Sequence, residues 1–308
     1  MGCSSRFTRW VSLLPLVWLT ASCGKGPAPV APTPEPTPVA LSFGPVASSG
    51  VLVGAGDIGY CGTPGAEATS RLLDRFSGTV FTAGDNAYMT GSREDFQNCY
   101  GPGWGRHLSR THPSIGNHDA MNGGAPYFQY FGASAGAGFA GAGYYSYTVG
   151  PWKVIALNSE IPSGAGSTQM DWLVNELATT GASCTAVYWH RPLFSSGRHG
   201  DNPDMRAVWR TLYQFNVDLV IGGHDHTYER FAPQDPDGRF DPTRGIREFV
   251  VGTGGAPLYE FPNVRPNSEV RAAVWGVTAF TLGAGGYQWE FVPVEGQSFR
   301  DSGSGSCH

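Results

Sequence analysis

The chain has 308 residues, with 20 basic and 25 acidic side chains and a formal net charge of −5. The basic residues are scattered, which excludes an electrostatic footprint for nucleic acid, although a local metal centre would still let an acidic protein bind phosphate. Six cysteines occur, and the four beyond Cys3 and Cys23 are Cys61, Cys99, Cys184 and Cys307.

Arg6 and Arg9 precede an apolar run from Trp10 to Ala21, followed by small residues and Cys23. This is the pattern of a bacterial export signal, and the run is too short to span a bilayer permanently. Leu19, Thr20, Ala21, Ser22 and Cys23 resemble a lipobox, with Thr20 where leucine is usual. A lipid anchor at Cys23 is expected, against cleavage nearby without lipid or an uncleaved anchor. Met1-Gly2-Cys3-Ser4-Ser5 also fits a myristoylation start, but that reading leaves the apolar run unexplained. Residues 1–23 are therefore read as signal and 24–45 as a stalk, because Pro alternating with Ala, Thr and Val favours extended polyproline and builds no core. One globular domain is expected over 46–296, with 297–308 a Gly/Ser-rich tail, mobile unless Cys307 pins it. An even number of cysteines in an exported domain suggests disulfides. Of the three connectivities, Cys61 with Cys99 and Cys184 with Cys307 is preferred here, buried free thiols being the alternative.

Within the domain, Val51 to Ala55 is a short apolar run ending at Gly56. A helix follows from about Gly65 to Phe76, then a second run from Thr79 to Ala83 ending at Gly84. That is a βαβ unit, and parallel strands bring Asp57 and Asp85 out at one sheet edge. Tyr144 to Val149 and Trp152 to Asn158 read as a hairpin about Gly150 and Pro151. Met170, Leu173, Val174 and Leu177 form an apolar face on a helix from about Ser167 to Ala178. A strand from Cys184 to Trp189 runs into His190, a helix spans about Asp204 to Phe215, and Asp218 to Ile221 runs into Gly222, Gly223 and His224. Glu248 to Val294 alternates β-branched and aromatic residues with glycine turns and looks antiparallel. The whole predicts an α/β fold of two packed mixed β-sheets flanked by helices.

Five short clusters stand where these strands run out into turns: Gly56-Asp57-Ile58-Gly59, Gly84-Asp85-Asn86-Ala87-Tyr88, Gly116-Asn117-His118-Asp119, Val187-Tyr188-Trp189-His190 and Gly223-His224-Asp225-His226. Alone, Asp57 or Asp85 would usually be a turn or capping residue and Tyr88 a packed aromatic. His224 and His226 are sharper, since alternate residues of an extended segment point the same way. Together, oxygen donors from the first half and imidazoles from the second are what a two-metal hydrolytic site requires. His107 and His112 have no motif around them and are read as structural or exposed.

The five clusters, in this order, resemble those of the calcineurin-like metallophosphoesterase superfamily and, within it, the purple acid phosphatases. Two details carry the finer resemblance: Asp57-Ile58-Gly59 lacks a histidine two residues after the aspartate, and Tyr88 stands three residues beyond Asp85. The resemblance implies Fe(III) held by Asp57, Tyr88 and His226, a bridging Asp85, and a divalent Fe, Zn or Mn held by Asn117, His190 and His224. A phenol titrates near 10, so binding as phenolate near neutrality needs a strongly polarising ion, and hard anionic oxygens suit ferric iron. Two carboxylates and a phenolate against five metal charges, with a bridging hydroxide, leave a net positive centre that attracts a phosphate ester.

By the same resemblance His118 stabilises the phosphoryl group or protonates the leaving alkoxide, Asp119 orients His118, and His199 faces substrate. An exposed loop histidine is the plain alternative for His199. Arg191 and Arg198 are candidates for phosphate, with Arg191 before Pro192 equally placed for a structural role. The implied activity is hydrolysis of small phosphate monoesters by in-line attack of a metal-bound hydroxide, in an exported protein of the bacterial envelope or medium, and reaching into acid. A divalent-metal phosphodiesterase or nucleotide hydrolase of the same fold is the alternative, and a non-catalytic lipid-anchored phosphate-binding protein a lesser one.

Overall fold

The structure, a computed structural model, describes residues 49–136 and 142–308. The export signal, the Cys23 lipobox, the 24–45 stalk and part of the loop from Gly132 to Gly143 lie outside the described residues. Among the described residues no helix is long and apolar enough to cross a membrane.

The first half-fold is the expected βαβ unit extended by one strand. β1 (Gly50–Ala55) leads through α1 (Gly65–Leu73) to β2 (Thr79–Ala83), parallel to it. A short α2 (Arg93–Asp95) continues into a π turn over Phe96–Tyr100 and a 3-10 segment over Trp104–Arg110. Ser92 opens this stretch as a capping box, its hydroxyl accepting from Asp95 N while the Asp95 carboxylate accepts from Ser92 N. β3 (Thr111–Ser114) then joins β2 in parallel, and α3 (Ala125–Phe131) covers the edge. The second half-fold begins with the hairpin β4 (Tyr145–Val149) and β5 (Trp152–Ala156). α4 (Thr168–Thr179), capped by Ser167, leads to β6 (Thr185–Tyr188), and α5 (Arg206–Gln214) leads to β7 (Leu219–Gly222).

After β7 come β8 (Tyr228–Phe231), β9 (Arg247–Val251), β10 (Ser268–Ala272), β11 (Gly276–Gly283), β12 (Gly286–Pro293) and β13 (Asp301–Ser306). The first sheet runs β13-β12-β11-β1-β2-β3 and the second β10-β8-β9-β7-β6-β5-β4. Both are mixed, as the sequence predicts. The C-terminal region departs from its expected antiparallel reading at one strand, since β9 pairs parallel with β7 while meeting β8 antiparallel. β9 is buried along almost its whole length, and such strands carry no alternation that marks their direction.

The side-chain alternation builds four layers. Leu52, Phe81, Val154, Tyr188, Ile221, Phe249 and Phe280 share the core between the sheets. Their neighbours Val53 and Val80 face α1 and Trp104, while Ile155, Val187, Val220 and Val250 face α4 and α5. Each such buried side chain contributes about 1.5–3 kcal/mol relative to exposure, and both faces of each sheet are used.

Two disulfides close the expected pairs, Cys61–Cys99 and Cys184–Cys307, spanning 38 and 123 residues. On a chain-entropy view these are worth about 4 and about 5 kcal/mol. The segment 297–308, expected as a separate tail, is instead part of the domain. Residues Asp301–Ser306 form the edge strand against β12, with Gly303 opposite Trp289, and Cys307 ties the end to β6. A side chain at Gly303 would begin 2.4 Å from the Trp289 ring, so the small residues that suggest a loose tail are what the packing needs.

Candidate metal centre

β1, β2 and β3 of the first sheet and β6 and β7 of the second all run parallel within their sheets and end at the same place. There the chain turns sharply. Of the four non-glycine residues with positive φ among the described residues, three lie in these turns: Asp57 at 60°, Asp85 at 49° and His224 at 69°. The left-handed region costs an L-residue roughly 1–2 kcal/mol, strain that surrounding structure retains where a side chain has to be aimed. Gly116 shows how tightly the loops meet. A Cβ there would lie 2.2 Å from Asp85 Oδ1, so only glycine lets the β3 loop approach that carboxylate.

Seven side chains converge into two sets sharing one oxygen. Tyr88 Oη lies 2.8 Å from Asp57 Oδ1, 3.0 Å from Asp85 Oδ2 and 3.0 Å from His226 Nε2. On the other side, His190 Nε2 lies 3.3 Å from Asp85 Oδ2, 3.1 Å from Asn117 Oδ1 and 3.2 Å from His224 Nδ1. Asp85 Oδ2 belongs to both sets. Ligand atoms about 2.1 Å from one ion and at right angles to each other stand about 3.0 Å apart, so each set has the spacing of a coordination shell. Asp85, His190 and His224 alone form a buried triad of metal-ligand type.

The imidazoles are held in the tautomers a metal needs. His190 Nδ1 donates to Ala83 O at 2.9 Å and His226 Nδ1 donates to Pro257 O at 2.6 Å, which leaves each Nε2 facing the centre as the nitrogen that a cation would take in exchange for a proton. The charges are mutually dependent. Burial alone would raise the pKa of Asp85, but the neighbouring His190 holds it well below the usual carboxylate range. Burial opposes protonation of His190, which the Asp85 charge nonetheless pushes up to about 10. Burial drives Tyr88 well above a normal phenol, and Asp57 and Asp85 beside it push the same way. Burial and the His190 charge hold His224 neutral. Two buried carboxylates, a phenol, an amide oxygen and three imidazoles meeting at one point are the donor set of a binuclear centre, and they fit two cations.

The calcineurin-like phosphoesterase family matches residues 51–228, from the first strand to just past His226. The chain belongs to that family. Among curated relatives it is 34% identical over 144 residues to purple acid phosphatase 21 of Arabidopsis thaliana, covering 43% of this chain and 32% of the relative. Purple acid phosphatase 15 of the same plant is 25% identical over 247 residues, covering 68% of this chain and 46% of the relative. The chain thus spans 32% and 46% of these relatives' length. Among solved structures, purple acid phosphatase PPD1 from yellow lupin superposes with a TM-score of 0.74 at 21% identity, covering 84% of this chain and 54% of that one. GAP50, the anchor in the inner membrane complex of Plasmodium, superposes with a TM-score of 0.66 at 15% identity, covering 85% of this chain and 90% of that one. Those two likenesses establish the fold. The curated relatives it resembles over part of their length are purple acid phosphatases.

Around the seven donors the chain arranges further groups, one of them against expectation. His118 stands at the rim, its N donating to Asp85 Oδ1 at 2.8 Å and its Nδ1 donating to Met89 O at 2.6 Å. Its ring packs on Tyr88 at 4.5 Å. Asp119 does not orient it. The Asp119 carboxylate is fully buried and accepts from the backbone N of Asn86, Ala87 and Gly116 and from Asn86 Nδ2, so it binds the β2 and β3 turns together. Burial and the Asp85 charge push Asp119 up to about 7. His199 does reach the site, stacked on His224 at 4.2 Å. Arg191 is gripped by Glu160 at 2.9 Å and points Nη1 at His224 Nε2, 3.1 Å away, the structural alternative for that residue. Arg198 lies over the Tyr259 ring at 5.4 Å. His107 and His112 are structural, His107 against Ser70 O and His112 stacked on Tyr147.

Three residues at the site escape a reading of motifs. Tyr259 stacks on His226 at 4.0 Å from a loop with no sequence signature. Glu160 lies just past β5, a strand whose end carries no cluster. Asp225 lies inside a cluster but between two histidines that take the attention, although its carboxylate is the one charged side chain in the tetrapeptide.

Proposed function

We propose that this protein is an exported phosphatase that hydrolyses phosphate monoesters with a ferric ion and a divalent partner, Fe, Zn or Mn. Asp57, Tyr88 and His226 would hold the ferric ion, Asn117, His190 and His224 the divalent one, and Asp85 both. The observation that carries the reading is Tyr88 Oη, placed within 3.0 Å of Asp57 Oδ1, Asp85 Oδ2 and His226 Nε2. A phenol there, buried between two carboxylates, gives up its proton only to a strongly polarising cation. Such ions, once bound, supply Lewis acidity that makes a water acidic and offsets charge on the phosphoryl oxygens.

The chain's own groups do the rest. His118 has Nδ1 committed to Met89 O, so Nε2 is the atom able to pass a proton to the departing alkoxide. Asp119 keeps the two turns that present Asp85 and Asn117 in register through its four donors. Glu160 holds Arg191 against His224, and His199 with Arg198 offers a second polar wall for the ester. Two disulfides and the N-terminal signal pattern support export.

The visible spectrum of the aerobically purified, iron-loaded protein tests this. A purple band that vanishes in Tyr88→Phe is expected, from charge transfer between tyrosinate and ferric iron. A colourless, iron-loaded and active protein would remove Tyr88 from the ligands. The divalent-metal phosphodiesterase reading would then take over, to be checked by comparing monoesters with diesters.

A further inference from the structure

The loop from Ser195 to His199 carries Arg198 and His199 to the metal centre without regular secondary structure. Its shape is imposed by a carboxylate beneath it. Asp225 is completely buried between His224 and His226. Its Oδ2 accepts from Ser195 Oγ at 2.5 Å and its Oδ1 accepts from His199 N at 2.8 Å, so one side chain fixes both ends of the loop. Ser195 Oγ also accepts from Gly197 N at 3.0 Å. The backbone wraps so closely that a Cβ at Gly197 would start 2.3 Å from the Asp225 carboxyl carbon. Four residues further along, in β8, Glu229 accepts from Ser196 N at 2.8 Å.

The consequence is a defined place for one imidazole. His199 lies flat on His224, 4.2 Å away and tilted by 28°, with its edge toward Tyr259. A buried carboxylate is costly unless its hydrogen bonds are made. Asp225 makes them to the loop and not to the rings beside it. The ring nitrogens of His224 face His190 and Arg191, and His226 Nδ1 faces Pro257 O.

We infer that Asp225 is a positioning residue for His199: its carboxylate ties down both ends of the loop so that the His199 imidazole is held over His224, against the phosphate ester. This rests on the phosphatase reading above.

A double-mutant cycle on the metal-loaded full-length protein tests it, with 4-nitrophenyl phosphate as substrate and metal content measured throughout. Asp225→Ala and His199→Ala should each lower kcat/KM roughly 10–100-fold, the usual penalty for a misplaced contact group, with both metals retained. The double variant should be no worse than His199→Ala alone. Asp225→Asn keeps an oxygen for His199 N and should recover most of the activity. Additive losses in the double variant, or metal loss in Asp225→Ala, would overturn the inference. Should Asp225→Ala not fold, Ser195→Ala removes one tie only and enters the same cycle, with additivity again the refuting result. If the wild type turns over no monoester, the phosphatase reading is what fails. The cycle is then read on affinity for inorganic phosphate, where a loss in Asp225→Ala that persists undiminished beside His199→Ala refutes the positioning role.

Discussion

Asp85 and His118 sit side by side yet answer different questions. Asp85 Oδ2 is common to both donor sets, and its other oxygen takes the His118 N–H. Replacing it by Asn removes the one charge that both cations would share. Asp85→Asn is therefore expected to lose both metals and turnover together, read by elemental analysis beside the assay; full metal content would take Asp85 out of the bridging position. His118→Ala removes none of the seven donors. It should keep both metals and lose about 10²–10³-fold in kcat on an alkyl phosphate, much less on a nitrophenyl phosphate whose leaving group needs no proton. Equal losses on both esters would exclude the acid role. Asp119 shows where a motif misleads, because adjacency to His118 suggests a pair while a fully buried carboxylate is drawn to the four donors around it.

The strands that could be read ahead of the structure were β1, β2 and β7, short apolar runs ending in Gly-Asp or Gly-His turns, β6, which runs into Trp189-His190, and the hairpin of β4 and β5. The short polar or irregular pieces could not be read. β3 consists of Thr111, His112, Pro113 and Ser114, with no apolar run, and the π turn Phe96–Tyr100 has no sequence signature; tertiary packing decides both. Nor does local pattern reveal that β1 pairs with β11, Val53 opposite Ala279, across most of the chain.

β8 and β9 give this packing a titratable consequence. They bring Glu229 and Glu248 together under the His199 loop, with Gln234 Nε2 3.3 Å from Glu248. Burial, and then the Glu229 charge, raises Glu248 well above a normal carboxyl, and burial raises Glu229 too. Both therefore stay protonated in the fold at a pH where the unfolded chain has ionised. Their contribution is complete below the ordinary glutamate pKa and is lost as pH rises through the raised folded values. Glu248→Gln keeps the shape without the ionisation. Its thermal midpoint should match the wild type near pH 4 and exceed it progressively toward neutrality. A constant deficit at every pH would mean that the fold uses the ionised carboxylate.

The two sheets meet at the metal centre from opposite sides. Asp57, Asp85, Tyr88 and Asn117 follow strands of the first sheet, and His190, His224 and His226 follow strands of the second. Cations bound there would join the two halves of the β-sandwich as well as serve the chemistry. Without them, the strained turns at Asp57, Asp85 and His224 and the buried carboxylates lose the charges that offset their cost. Any ligand bound only by the folded state stabilises it by mass action, about 2.7 kcal/mol at a hundredfold excess over its Kd. For a domain of this size that corresponds to roughly 5–10 °C. Chelation of the metal-loaded protein should therefore lower the thermal midpoint by at least that much and restore it on reloading. Amide exchange should quicken first at the ends of β1, β2, β6 and β7, where the turns lose their counter-charges. If calorimetry finds one midpoint for loaded and metal-free protein while elemental analysis confirms that the ions have gone, the centre is not a joint between the sheets, and the Cys184–Cys307 disulfide with the shared core of Phe81, Tyr188, Phe249 and Phe280 holds the halves together unaided.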